Sequence, residues 1–297
     1  MIKPKLLTVT GDTDVYIGKQ EFKQPGTYYW QVPLSVNRLH VCLIGAGAYN
    51  DYAITTSYNG GGGGGLAWAN DIEVTPGETL LVQVGAPSAE QFDKLKDSII
   101  GRPKDGVQEF DTQLIAAFGG LPGQGGGFDL MGQTGGGGNG GEGSVERIVN
   151  VGGSIEVWGG SGGGAGGYNG DGGNGIVGAD GAVTRSGAGG AGAGGATWWR
   201  ELSGSFNGFK LGSGGGGVGF SGAGASGQGV PVQPDGANPV RGQAGSGGDS
   251  ELYGGGGAGL YQMSPSVAPD YATPGHGAVR IIWGIKYSYP DNADVNK

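Results

Sequence analysis

Several glycine-framed residues in this chain have the spacing of catalytic or ligand-binding motifs. Gly159-Gly160-Ser161-Gly162-Gly163 has the Gly-x-Ser-x-Gly form of a nucleophile elbow, which exposes its hydroxyl only on a sharp turn from strand to helix. Gly45-Ala46-Gly47-Ala48-Tyr49-Asn50 follows an apolar run as a dinucleotide-binding turn does, but Asn50 stands where the last glycine belongs and no helical periodicity follows. Gly18-Lys19 is followed by Gln20 and lacks the upstream glycine of a phosphate loop. Gly166 to Asp171 approximates a calcium-binding nonapeptide in one imperfect copy, with Asn169 in place of glycine, and one copy supplies too few oxygen ligands. His40 and His276 have no cysteine or serine partner in the pattern, and catalytic groups come as constellations. The single cysteine, Cys42, allows neither a disulfide framework nor a cysteine zinc site and reads as a small buried strand residue. With 75 glycines in 297 residues, such framings arise from composition alone. The expectation is a non-enzyme, with no catalytic residues, cofactor or metal.

The elements that must carry any function are glycine rods and strands. From Gly160 to Ala193, positions three apart are glycine or small residues, and a period of three is that of the polyproline-II helix, whose backbone is free to bond sideways. Shorter phased pieces recur at Gly120, Gly123 and Gly126, at Gly137, Gly140 and Gly143, and at Gly242, Gly245 and Gly248. The loss of phase between pieces excludes collagen, which keeps one register throughout. Glycine and proline reach a level typical of disordered chains. A hydrophobic content of 36% and a charged content of only 14% argue instead for a folded protein. The net charge of −9 argues against a phosphate-tracking surface, so no nucleic-acid partner is expected. No apolar run approaches membrane-spanning length, and the N-terminus lacks a signal-peptide core. A soluble protein without membrane insertion is expected.

Strand signals lie at both ends of the chain. They are Leu6 to Thr10, Val15 to Gly18, Thr27 to Val32, Arg38 to Ile44, Leu66 to Val74, Glu78 to Gly85 after a Pro76-Gly77 turn, Gln113 to Phe118, and Gly277 to Gly284. The Pro76-Gly77 turn predicts a hairpin. Alternation places Leu39, Val41 and Leu43 inside with His40 and Cys42 opposite, and Val279, Ile281 and Trp283 on one face. The predicted fold is all-β: a jelly-roll-like β-sandwich of N- and C-terminal strands with an inserted polyglycine-II helix bundle. Residues 1–22 form an attachment arm, 23–118 with 277–285 the sandwich, 119–276 the glycine bundle, and 286–297 a polar tail. Within the sandwich, 86–112 reads as a charged surface insertion with a short helix over Ala89 to Ile99.

Recognition chemistry falls on the non-glycine interruptions. Trp198, Trp199 and Arg200, with Phe206, Phe209 and Lys210, make the densest aromatic patch of the glycine region. Phe128, Leu130 and Met131, then Tyr261 and Met263, and ahead of the first glycine run Tyr49, Tyr52 and Tyr58, are similar groups; Tyr168, Phe220 and Tyr253 interrupt the glycines singly. Trp, Tyr and Arg are the residues that anchor interfaces, although large aromatics also fold inward as core.

The run from Phe22 to Pro33, the strand into Gly45-Ala46-Gly47, the block GGGGGGLAWANDIEVTPGETLLVQVG over 60–85, residues 109–127 and the closing GAVRIIWG resemble the glycine-rich domain of phage tail proteins. The bundle resembles the polyglycine-II sandwich of distal adhesins on the long tail fibres of T-even-like phages. The resemblance implies a virion protein, made in a bacterial host's cytoplasm, that binds a host outer-membrane protein or lipopolysaccharide through loops joining glycine helices. Its other partners would be tail-fibre or virion proteins, docked through Met1 to Phe22. Two other readings stand beside it: a structural virion component with the bundle as a rigid spacer or cap, and an ice-binding face built on Ser186, Ala191, Ala193 and Ala196.

Overall fold

The computed structural model describes residues 18–49, 60–88, 93–144, 147–151, 154–158, 162–168, 170–175, 215–220, 222–223, 253–257, 274–284 and 288–290. Two five-stranded antiparallel sheets stack as a sandwich. The first has the order β1 (Gly18–Phe22), β14 (Ala278–Trp283), β3 (Arg38–Ile44), β4 (Leu66–Glu73) and β9 (Gly135–Gly138). The second has β2 (Gly26–Gln31), β5 (Thr79–Val84), β6 (Ser98–Pro103), β7 (Phe110–Ala117) and β8 (Phe128–Asp129). Two further antiparallel pairs are β10 (Arg147–Val151) with β11 (Ser154–Trp158) and β12 (Val218–Gly219) with β13 (Gly222–Ala223).

Strand alternation builds the core as expected. Leu39, Val41, Leu43, Val279, Ile281 and Trp283 of the first sheet meet Trp30, Leu80, Val82 and Ile100 of the second, with the Trp30 and Trp283 rings 5.8 Å apart. Each such aliphatic side chain contributes about 1.5–3 kcal/mol on full burial. At β14 and β3 the first sheet is buried on both faces. On its other face Cys42, Ile44, Leu66, Ala278 and Ile282 pack with Tyr168, Val218, Phe220, Tyr253 and Tyr289.

Three local expectations give way. Pro76-Gly77 does not close a hairpin: β4 pairs with β3 and β9, β5 with β2 and β6, and the turn carries the chain from one sheet to the other. A sandwich must cover the apolar face of each sheet with the other, and bonds from Gly77 N–H to Val32 O and from Val32 N–H to Glu78 O tie this crossing to β2. Residues 86–112 are not a surface insertion. Among those described, only a 3-10 turn at Lys94–Lys96 is helical, and β6 then runs between β5 and β7 with Ile99 and Ile100 buried. The apolar signal of Ile99-Ile100 is short beside the surrounding charges, and among the described residues of the segment 104–109 remains a fully exposed loop. Finally, Gly18–Phe22 belongs to the sandwich rather than to an arm, because it pairs with β14 from Gly18 against Trp283 to Phe22 against Val279.

Among the described residues, the glycine segments bond side by side as a lattice, and its hub is the run 60–65 that leads into β4. Going along it, the N–H groups bond to Ser144, Gly257, Leu121, Gly141, Gly254 and Phe118 in turn, at 2.7–3.0 Å. Neighbours therefore repeat every third residue. The six carbonyls of the hub accept from Gly45, Ala48, Gly123, Gly126, Gly163 and Gly166 with the same period. Among the described residues, six segments bond to the hub: 45–48, 118–121, 123–126, 138–144, 162–166 and 253–257. Three residues per turn and purely lateral bonding is polyproline-II geometry. Ordering each glycine costs about 1–2 kcal/mol, and two lateral bonds at about 0.5–1.5 kcal/mol each offset it. A side chain has no space here: a Cβ on Gly62 would fall on the Gln124 carbonyl and one on Gly63 on the Gly164 carbonyl. The hub and rod 45–48 thus come from the N-terminal third, within residues expected to belong to the sandwich alone.

Candidate recognition surface

Each rod has a near end, on the side of the sheets, and a far end. The hub runs from its far end at Gly60 to its near end at Gly65 and enters β4. Rod 45–48 leaves β3 and reaches its far end beside Gly62. The legs 118–121 and 123–126 meet in a far-end turn at Pro122-Gly123, where Gly123 has φ +75. Rod 138–144 runs outward from β9, and 253–257 runs the same way. Rods 162–167 and 215–217 run inward, and 170–175 outward again.

This topology collects the described flanks of the candidate segments. Residues 49 and 60, which bracket 50–59, lie at the far end; so do 175 and 215, which bracket 176–214, while 257 and 274 bracket 258–273 from the same side. The hairpin of β10 and β11 also lies between far-end positions, after Ser144 and before Gly162, and its strands pair with each other alone among the described residues. Sequence reasoning missed this hairpin, although its two β-rich runs around Gly152-Gly153 carry the signal of a two-residue turn. By contrast β1 begins and β14 finishes at the opposite pole, with Gly18 against Trp283.

The sequence-derived candidates divide accordingly. Tyr49 sits at the far end, 37% exposed. Phe128 and Leu130 lie on the sandwich and pack partly against its core, while Met131 is exposed at φ +49, its N–H bonded to Asp129 Oδ1 at 2.8 Å. Trp198, Trp199, Arg200, Phe206, Phe209, Lys210, Tyr261, Met263, Tyr52 and Tyr58 lie outside the described residues, as do Ser186, Ala191, Ala193, Ala196 and the motif serine Ser161. Three aromatics grouped with them from the sequence turn inward: Tyr168, Phe220 and Tyr253 are buried on the outer face of the first sheet.

That outer face holds Cys42, His40 and His276, three of the residues weighed for chemistry, and they are knitted into structure. The Cys42 thiol donates to the Tyr168 hydroxyl at 3.2 Å, and that hydroxyl donates to the Phe220 carbonyl at 2.7 Å. Tyr168 stacks on Tyr289, and burial pushes both phenols well above the usual range. Asn70 bonds the Tyr289 backbone in both directions and lies 3.1 Å from His40 Nδ1. The His276 ring sits edge-on to Tyr253, 5.4 Å between centroids. Arg280, 2% exposed, lies 4.4 Å over the Phe220 ring and meets Glu21 Oε1 at 2.9 Å. Burial pushes the Glu21 carboxyl up, but Arg280, with Lys19 and Lys23, outweighs it and holds the group below the usual range. Among the described residues no three His, Cys, Asp or Glu side chains are grouped to hold a metal.

Residues 23–232, more than two thirds of the chain, match the family model of a glycine-rich domain. A comparison with curated proteins finds no match.

Proposed function

The chain belongs to the glycine-rich domain family, and from that premise we propose that it is a non-enzymatic receptor-binding protein of a virion, a tail-fibre tip adhesin. In this reading the sandwich and lattice are scaffold, and the segments joining rods at the far end recognise a host outer-membrane protein or lipopolysaccharide. One observation carries it: the described residues flanking 50–59, 176–214 and 258–273 share one end of the lattice, and the chain enters β1 and leaves β14 at the other. Those segments hold most of the aromatic and basic candidates, and aromatic loops on a rigid base bind at low entropic cost. The opposite pole is then available for attachment to other virion proteins.

The test is adsorption. Replacing Trp198, Trp199 and Arg200 together with Ala leaves the thermal transition of the protein in place and lowers binding of host cells by at least about tenfold, the scale of one lost hot spot. Unchanged adsorption removes this segment as the binding site. The fully bonded hub also suits a rigid spacer or cap, and labelled antibody on whole particles separates the two: label at the fibre tip supports the adhesin, label on the capsid supports the spacer.

A further inference from the structure

Rod 170–175 takes a backbone bond from Gly164 N–H to Gly173 O at 2.9 Å, as the hub's neighbours do, but it is fastened to rod 138–144 differently. Two N–H groups of rod 138–144 that face it are bonded by side chains: Asn139 N–H to Asp171 Oδ1 at 2.7 Å, and Glu142 N–H to Asn174 Oδ1 at 2.9 Å. The return bonds are backbone to backbone, from Gly172 N–H to Asn139 O at 2.8 Å and from Gly175 N–H to Glu142 O at 2.7 Å. The unit therefore repeats after three residues on both rods, in step with the lattice. Asn139, Glu142, Asp171 and Asn174 are all exposed, so the seam lies on the lattice surface. Short Asx side chains suit this task, because their oxygen reaches a neighbouring backbone N–H as a carbonyl would, and a carboxylate acceptor makes the stronger bond.

We infer that Asp171 and Asn174 are positioning residues, a side-chain seam that fixes rod 170–175 to the lattice and thereby sets where the chain departs into 176–214. This rests on the adhesin reading for its consequence, but the seam itself is testable without it. On the full-length protein, hydrogen exchange in the double variant D171A/N174A shows Asn139 and Glu142 amides exchanging about tenfold faster or more, the change expected from one lost hydrogen bond each. The amides of Gly61 to Gly64 keep their protection. The conservative variant D171N, which retains an acceptor oxygen, restores protection at Asn139. Host-cell adsorption falls with the double variant and returns with D171N and Asn174 intact.

Unchanged exchange at Asn139 and Glu142 in D171A/N174A overturns the seam. Lost protection with full adsorption, while the triple alanine variant at 198–200 does lower adsorption, overturns the positioning role. If that triple variant adsorbs normally, the recognition assignment has failed, and the exchange result still decides the seam.

Discussion

Gly63 and Gly106 separate two reasons for glycine. A Cβ at Gly63 would fall on the Gly164 carbonyl, with Ala165 N 3.0 Å away, and neither atom is free to move because both belong to paired rods. Gly63→Ala should therefore cost more than about 3 kcal/mol, the range of overpacking combined with broken buried hydrogen bonds. Gly106 has φ +78 and open space around it, so Gly106→Ala should cost only about 1–2 kcal/mol for the left-handed backbone. Thermal denaturation of the two variants checks the contrast. Asp97 is a different residue-scale case. Its burial raises the carboxyl above the usual range, although Oδ1 accepts the Gly119 N–H at 2.8 Å. An acid whose folded pKa is raised loses stability as pH rises from the ordinary carboxylate range through the folded value, because the native state holds the proton longer. Asp97→Asn keeps an acceptor for Gly119 and removes that loss, so its melting temperature should exceed the parent's at neutral pH. In acid the two should converge.

At the scale of elements, β1 shows how an edge strand is held. It pairs with β14, and directly across that pairing Glu21 faces the buried Arg280, whose guanidinium also covers Phe220 of the glycine region. One ion pair thus ties the edge strand, its neighbour β14 and the outer-face cluster. With the folded pKa of Glu21 depressed, its contribution is complete above the ordinary carboxylate range and is lost as pH falls through the folded value. Glu21→Gln should lower stability at neutral pH and flatten the acid limb of a stability-against-pH curve. The loss should lie near the low end of the ~3–5 kcal/mol for breaking a buried pair, because the Glu21 side chain keeps 20% of its surface exposed. A parallel shift of the curve at all pH values would reject this account. β6 shows the opposite situation, a central strand whose few apolar residues had to compete with flanking charge for notice.

Over the whole molecule, sandwich and lattice are continuous. β3 runs straight into rod 45–48, rod 60–65 into β4, and the leg 118–121 follows β7. Strand ladders and lateral rod bonds therefore share their ends, and the sheets pin the rods at the near side. The proposed division of labour follows from that polarity: attachment at the pole where β1 opens, recognition at the far end, and a fully bonded hub between them.

The sequence by itself determined the β faces and the presence of three-residue periodicity. Leu39, Val41 and Leu43 against His40 and Cys42, or Val279, Ile281 and Trp283, are legible because strand alternation is a local property with a period of two. The glycine period is legible for the same local reason. The partner of each element was not legible. Nothing near Pro76-Gly77 distinguishes a hairpin from a passage between sheets, and nothing within 60–65 marks it as the hub rather than a linker. The six neighbours of that hub come from residues between 45 and 257, and glycine has no side chain to encode a preference among them. Tyr168, Phe220 and Tyr253 carry the same ambiguity, since an aromatic between glycines serves display and burial equally until a second surface covers it. Only the tertiary structure supplies that surface, because both lateral hydrogen bonding and burial are satisfied by whichever chain arrives alongside.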